Sequence, residues 1–72
     1  MTAEEWVRRF AADAGVEPPT PQEFDQILKL AAIAAHGSQR TAAPVACWIG
    51  GATRLPAESL REIAAGISPE AE

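Results

Sequence analysis

The feature that most constrains the fold is a long apolar stretch, residues 20–37, that begins with a helix start signal and ends with a helix stop signal. Thr20 and Glu23 form a capping box, and Pro21 takes the first helical position, where its missing N–H costs nothing. We therefore predict a helix at about 21–36, with Gly37 ending it as a left-handed residue.

The apolar side chains of this stretch fill one broad sector of a helical wheel, which is typical of a helix covered on more than one side. The members of this sector are Phe24, Ile27, Leu28, Leu30, Ala31, Ala32, Ala34 and Ala35. Ile33 is the one large apolar residue that the wheel puts among the polar side chains. The expected fold is all-α, a compact four-helix domain with a central, largely buried second helix.

A second capping box, Thr-x-x-Glu at residues 2–5, starts a shorter helix that we expect to stop at Gly15. Trp6 and Phe10 share the apolar face of this helix, and we expect both to dock on the central helix. Two consecutive prolines, residues 18–19, prevent the first helix from continuing into the second.

A third helix is predicted at about 42–52, with Thr41 as its cap and Pro44 in its first turn, where backbone N–H groups are unpaired anyway. Gly50 and Gly51 mark either the end of this helix or a close approach of two backbones.

A fourth helix is predicted at about 56–66, and Gly66 is placed to end it. Its apolar side chains form a narrow stripe along one side. We assign residues 1–67 to a single helical domain and residues 68–72 to a flexible acidic tail.

Composition excludes several classes of function. The chain has 72 residues, of which 16 are Val, Ile, Leu, Phe or Trp, so the core is small and its stability modest unless a partner helps. Six Lys and Arg against ten Asp and Glu give a net charge of −4, which argues against a nucleic acid partner. The chain opens with no basic-then-apolar leader, and no apolar run is long enough to span a membrane. We expect a cytoplasmic protein with no membrane partner.

His36 and Cys47 are the only histidine and the only cysteine, so no internal disulfide is possible and no metal-ligand set is expected. His36 either caps the second helix, favouring its dipole when protonated, or contacts a ligand or partner. We expect Cys47 to be a small buried hydrophobic residue. We expect no metal, no cofactor and no catalytic residue.

Residues 41–53 form a stretch without charged side chains. Arg40 lies directly before this stretch, and Trp48 lies within it. Arg40 is either a solvated loop side chain or, with the free N–H groups of the third helix, part of a site for a phosphate or carboxylate. Trp48 is either a core residue or the aromatic anchor of an exposed apolar face that binds a protein.

The run from Leu30 to Gly51 resembles a small bacterial domain of unknown function that occurs alone or fused to molybdopterin-guanylyltransferase-like proteins. The matching features are Ala35-His36-Gly37, then Arg40, then Ala43-Pro44 and an apolar segment that ends in Gly. The opening Glu-Trp helix and the overall length are similar too, so the likeness covers nearly the whole chain. The resemblance implies a context, molybdenum cofactor metabolism, and no particular reaction.

The expected function is therefore a non-catalytic accessory or protein-interaction module linked to molybdenum cofactor biosynthesis or to delivery of the cofactor to a molybdoenzyme. The alternative is a small self-associating or structural subunit of a larger complex, with no cofactor role. The residues expected to contact a protein partner or ligand are His36, Gly37, Arg40, Pro44 and Trp48.

Overall fold

The computed structural model describes residues 1–71 and confirms the all-α fold. Its four helices are α1 (Ala3–Ala14), α2 (Pro21–Gly37), α3 (Ala42–Thr53) and α4 (Ala57–Ile67), and a short 3-10 helix follows at Pro69–Ala71. Glu72 lies outside the described residues. Among residues 1–71, none of the helices combines the length and the apolar character needed to cross a bilayer.

Both predicted capping boxes are confirmed. In α2, the Thr20 hydroxyl accepts the N–H of Glu23 at 3.1 Å, and the Glu23 carboxylate accepts the N–H of Thr20 at 2.8 Å. Thr2 and Glu5 make the same pair of bonds at the start of α1, at 3.1 and 2.9 Å. Hydrogen bonds from Thr2, first of all from its backbone N–H, hold the pKa of the Glu5 carboxyl below its ordinary value. These local bonds define where each helix starts.

The helix ends follow the sequence less closely. Gly15 ends α1 in the left-handed region, with φ of 80°, as expected. Gly37 does not play this part, because it is the last residue of α2 and has no positive φ, and Ser38 follows it as the cap residue. Gly66 lies inside α4, which continues to Ile67.

The second helix is the centre of the packing, since α3, α4 and the 3-10 helix all lie against it. The prediction that it is largely buried holds only in part, because Leu30 and Ile33 are its two buried residues. The prediction that Trp6 and Phe10 dock on it is wrong. Helix α1 packs closely on no other helix of residues 1–71, and these two aromatic side chains are 56 % and 61 % exposed.

The buried side of α2 is also rotated from the side that the helical wheel predicts. Ile33, which the wheel puts among polar residues, is only 3 % exposed, whereas Leu28 is more than half exposed. The reason is that α3 and α4 cover the side on which Ile33 lies, while α1 leaves the Leu28 side open. The apolar pattern predicts that α2 is an apolar helix, but it does not predict which side of the helix is covered.

Helix α3 begins without the predicted cap. Thr41 has helical backbone angles and its hydroxyl makes no capping bond. A turn precedes the helix instead, in which the N–H groups of Ala42 and Ala43 donate to the carbonyls of Gln39 and Arg40 at 2.9 and 3.2 Å. The first N–H groups of α3 are thus satisfied by backbone rather than by a side chain.

Helices α3 and α4 come together where Gly50 lies against Leu60. A Cβ on Gly50 would lie 2.8 Å from Leu60 Cδ1, whereas a Cβ on Gly51 would have nothing within 4 Å. The close approach predicted for this glycine pair therefore belongs to Gly50. Away from this point α3 and α4 do not pack closely on each other within the described chain.

A short 3-10 helix lies within residues 68–72, the segment predicted to be a flexible acidic tail. The 3-10 helix at Pro69–Ala71 lies against both α2 and α4, and the Ala71 N–H donates to the Ser68 carbonyl at 3.0 Å. The last residue of the predicted tail, Glu72, lies outside the described residues.

Two adjacent glycine substitutions test the α3–α4 contact. In the G51A variant the new methyl group has open space, so the free energy of unfolding should rise by up to about 1 kcal/mol, the usual gain of Ala over Gly in a helix. In the G50A variant the same gain is opposed by a close contact with Leu60 Cδ1, the far end of a flexible side chain, so this variant should be less stable than G51A by about 1 kcal/mol.

Urea unfolding followed by circular dichroism measures both variants against the parent chain. Equal stabilities for G50A and G51A would mean that Gly50 is not required for the contact with Leu60.

Candidate functional site

The five residues that the sequence singles out do not form one site. His36 lines a cleft beside α4, Gly37 lies against the end of α4, and the remaining three are exposed. Arg40 lies in the turn before α3, and Pro44 and Trp48 lie on the outer side of α3. Each place has a different chemical character.

The cleft beside His36 carries positive charge. It has a volume of about 520 Å³ and is also lined by Lys29 and Arg61. The Arg61 guanidinium is held by Gln26, with Nε 2.8 Å from Oε1, and Lys29 Nζ lies 3.1 Å from an Asp25 carboxylate oxygen. The Asp25 carboxylate thus compensates part of the positive charge of this cleft, while the neutral Gln26 amide accepts a hydrogen bond from Arg61.

Arg40 does not line this cleft, and the donors that were expected to help it hold a phosphate are used elsewhere. Ala42 and Ala43 donate their N–H groups to carbonyls of the preceding turn, and Pro44 has no N–H. The first three positions of α3 therefore offer no free N–H donor to a phosphate beside Arg40.

Gly37 has a packing role in this structure. A Cβ at this position would overlap both side-chain atoms of Ser68, the residue that follows α4. Only glycine lets the end of α4 and the 3-10 helix lie this close to α2. The sequence shows that position 37 is a glycine, but its spacing does not predict that Ser68, 31 positions later, lies against it.

Cys47 is half-buried on α3 and does not line the His36 cleft. Burial raises the pKa of its thiol above the ordinary value of 9.0. The thiol is therefore protonated at neutral pH, and the thiolate is the form that reacts as a nucleophile. The sequence predicted a small buried hydrophobe, and the burial observed for Cys47 is only partial.

The outer side of α3 is an exposed apolar surface, which we call the outer α3 face. It consists of Pro44, Val45, Trp48 and Ala52, all of them exposed. Trp48 is 76 % exposed, so this large side chain contributes little to the core. A tryptophan held in water on a rigid helix, among uncharged neighbours, is the usual form of a protein-contact surface.

A second apolar surface was missed by the sequence reasoning. Helices α3 and α4 form the walls of a groove of about 460 Å³, and α2 forms its floor; we call it the α3–α4 groove. It is lined by Leu30, Ile33, Ala34, Ser38, Ala42, Ala46, Ile49, Gly50, Thr53, Leu60, Ile63, Ala64, Ile67 and Ser68. None of these side chains is charged. The available signal was the narrow apolar stripe of α4, but the sequence does not show how far α3 and α4 diverge.

A family model matches residues 1–71 and describes them as a domain of unknown function, DUF6457, so the chain belongs to this family. No curated protein and no solved structure matches the chain.

The packing role of Gly37 predicts a specific rescue. The G37A variant should lose about 1–3 kcal/mol of its free energy of unfolding, because the new methyl group overlaps the Ser68 side chain. Adding S68G removes both overlapping atoms, so the double variant should recover most of the loss. Thermal and urea unfolding of the parent, both single variants and the double variant measure this coupling. Additive effects, with no rescue, would contradict the contact.

The raised pKa of Cys47 predicts slow alkylation near neutral pH. The rate with iodoacetamide should climb with pH through a midpoint above 9.0, since only the thiolate reacts. The same chain unfolded in urea is the matched control and should react faster at every pH below that midpoint. A midpoint in the folded chain at or below that of the unfolded chain would contradict the effect of burial.

Proposed function

We propose that the protein is a non-catalytic protein-interaction module that binds its partner through the outer α3 face. The observation that carries this proposal is the exposure of Trp48 on a face with no charged side chain. Burying such a side chain in a partner's pocket gains the hydrophobic free energy that the isolated domain leaves unused, about 1.5–3 kcal/mol for a large apolar side chain.

The geometry of α3 suits this role. A helix presents Val45 and Trp48 on one side at a spacing of three residues, and both side chains stand on a backbone that is already ordered. Binding a partner therefore costs this domain little conformational entropy. The uncharged neighbours also let water be excluded around the tryptophan, a condition that binding hot spots share.

The class of partner is proposed from the resemblance alone. The pattern Ala35-His36-Gly37, Arg40 and Ala43-Pro44 supports a partner in molybdenum cofactor biosynthesis, or a molybdoenzyme that receives the cofactor. In this proposal the domain is an accessory module and its own residues carry out no reaction. Arg40, in the turn that precedes α3, then serves as a polar contact beside the apolar face, whereas His36 lines the separate cleft beside α4.

The experiment is an affinity capture of the tagged chain from its native host, followed by mass spectrometry and by a binding titration with the protein recovered. The W48A variant should weaken that binding by 2 kcal/mol or more, roughly 30-fold, without loss of helical circular dichroism. W6A is the matched control, because it removes a tryptophan of comparable exposure from another helix. Its affinity for the partner, expressed per chain, should stay within about 2-fold of the parent.

Equal losses in W48A and W6A would contradict the outer α3 face as the site. Recovery of a partner with no link to molybdenum cofactor would leave the interaction module in place and remove the proposed context.

A further inference from the structure

Two apolar surfaces of this chain remain largely exposed in a single copy. One is the α3–α4 groove. The other is the side of α1 that carries Trp6 and Phe10, whose rings stack with their centroids 5.2 Å apart. One surface is a concave trough and the other a ridge on a helix, which is the pairing found where an amphipathic helix binds in a groove.

The groove has the form of a helix site because its two walls diverge. Helices α3 and α4 touch where Gly50 meets Leu60, next to the turn that joins them, and beyond this contact they do not pack on each other within residues 1–71. The floor between them is α2, through Leu30 and Ile33. A helix bound in this space would form a four-helix bundle together with α2, α3 and α4.

The aromatic pair of α1 is more than half exposed in its own chain. Val7 of this helix lines a cleft together with Pro18, Pro19 and Phe24, and Ala11 is the one buried residue of the helix. On a helix of 100° per residue, the side that bears Trp6 and Phe10 lies about 100° from the side of Val7 and Ala11. The prolines of the connecting loop restrict its backbone and help to hold this arrangement.

We propose that α1 of one copy of the chain occupies the α3–α4 groove of a second copy, and that the exchange is reciprocal, so that the protein is a symmetric dimer. Trp6 and Phe10 enter the groove of the partner copy and contact its isoleucine walls. Each copy then gives one helix and receives one, the usual form of a two-fold exchange.

The solvent-exposed area of a single copy is larger than expected for a compact monomer of its mass. The chain exposes 5416 Å², whereas a compact monomer of 7.6 kDa is expected to expose about 4,300 Å². The difference, roughly 1,100 Å², is comparable to the roughly 800 Å² that each partner buries in a stable dimer. The buried core of the described residues consists of four side chains, Ala11, Leu30, Ile33 and Leu60.

The dimensions of the two surfaces agree as well. Helix α1 has 12 residues and α3 has 12, so each is about 18 Å long and α1 spans the wall that it would lie beside. The groove walls expose Ile49, Ile63 and Ile67, and α1 exposes Trp6 and Phe10. Because the contact forms twice, complete burial of these side chains removes on the order of 1,200 Å² from water per dimer, which reaches the range of specific interfaces.

This proposal goes beyond the proposed function, because it uses a surface other than the outer α3 face. The first measurement is the molar mass of the parent chain by light scattering and sedimentation equilibrium from 5 to 500 µM. A dimer of about twice 7.6 kDa is expected. A strict monomer across this range would overturn the proposal, whatever the variants do.

The second measurement compares two variants that lose exposed aromatic side chains from different faces. The W6A/F10A double variant should raise the dimer dissociation constant at least 100-fold and keep its helical circular dichroism. W48A is the matched control and should remain a dimer. A dimer that survives W6A/F10A, or one that W48A dissociates, would overturn the exchange of α1; loss of the dimer in W6A/F10A alone supports it.

The third measurement separates binding to a second copy from folding back onto the same chain. I63E puts a charge on an exposed groove wall and should also give a monomer; I67E is a second choice if I63E fails to fold. A mixture of W6A/F10A with I63E should form a heterodimer, because the intact α1 of one chain fits the intact groove of the other. Two monomers that stay apart when mixed would show that α1 does not act on a second copy, and would overturn the proposal.

Discussion

The packing of Leu30 and Ile33 on α3 and α4 is the interaction on which the rest of the described structure depends. These two side chains are the buried part of α2, and α2 is the helix against which α3, α4 and the 3-10 helix all lie. Because α3 and α4 scarcely pack on each other, their positions are set through this shared floor. The groove between them is the direct result of an arrangement in which one helix supports two others that diverge.

Two glycines allow this arrangement, and each does so by the absence of a side chain rather than by a special backbone angle. Gly50 lets Leu60 lie against α3 near the turn, and Gly37 lets Ser68 lie against the end of α2. Neither has a positive φ; among the glycines of residues 1–71 only Gly15 does. Side chains near both ends of α4 thus lie directly against glycine backbone, at Gly50 and at Gly37.

The scarcity of large buried side chains connects the fold with the two interaction proposals. A chain of this length cannot bury all its large apolar residues, and several of those it exposes gather on two uncharged surfaces, the outer α3 face and the α3–α4 groove. The cationic cleft near His36 has another character, since Gln26 and Asp25 already engage its basic side chains. Both proposed interactions of this domain therefore use apolar surfaces rather than titratable groups.

The sequence by itself determined the elements that depend on neighbours within four or five positions. These are the capping boxes at Thr2 and Thr20, the left-handed stop at Gly15, the helical character of all four segments and the family to which they belong. Tertiary structure alone decided which side of α2 is covered, where α1 lies, and that Gly37 faces Ser68. Capping hydrogen bonds join residues that are close in the sequence, so the sequence predicts them. Burial depends on how far two helices diverge, and no spacing along the chain encodes that distance.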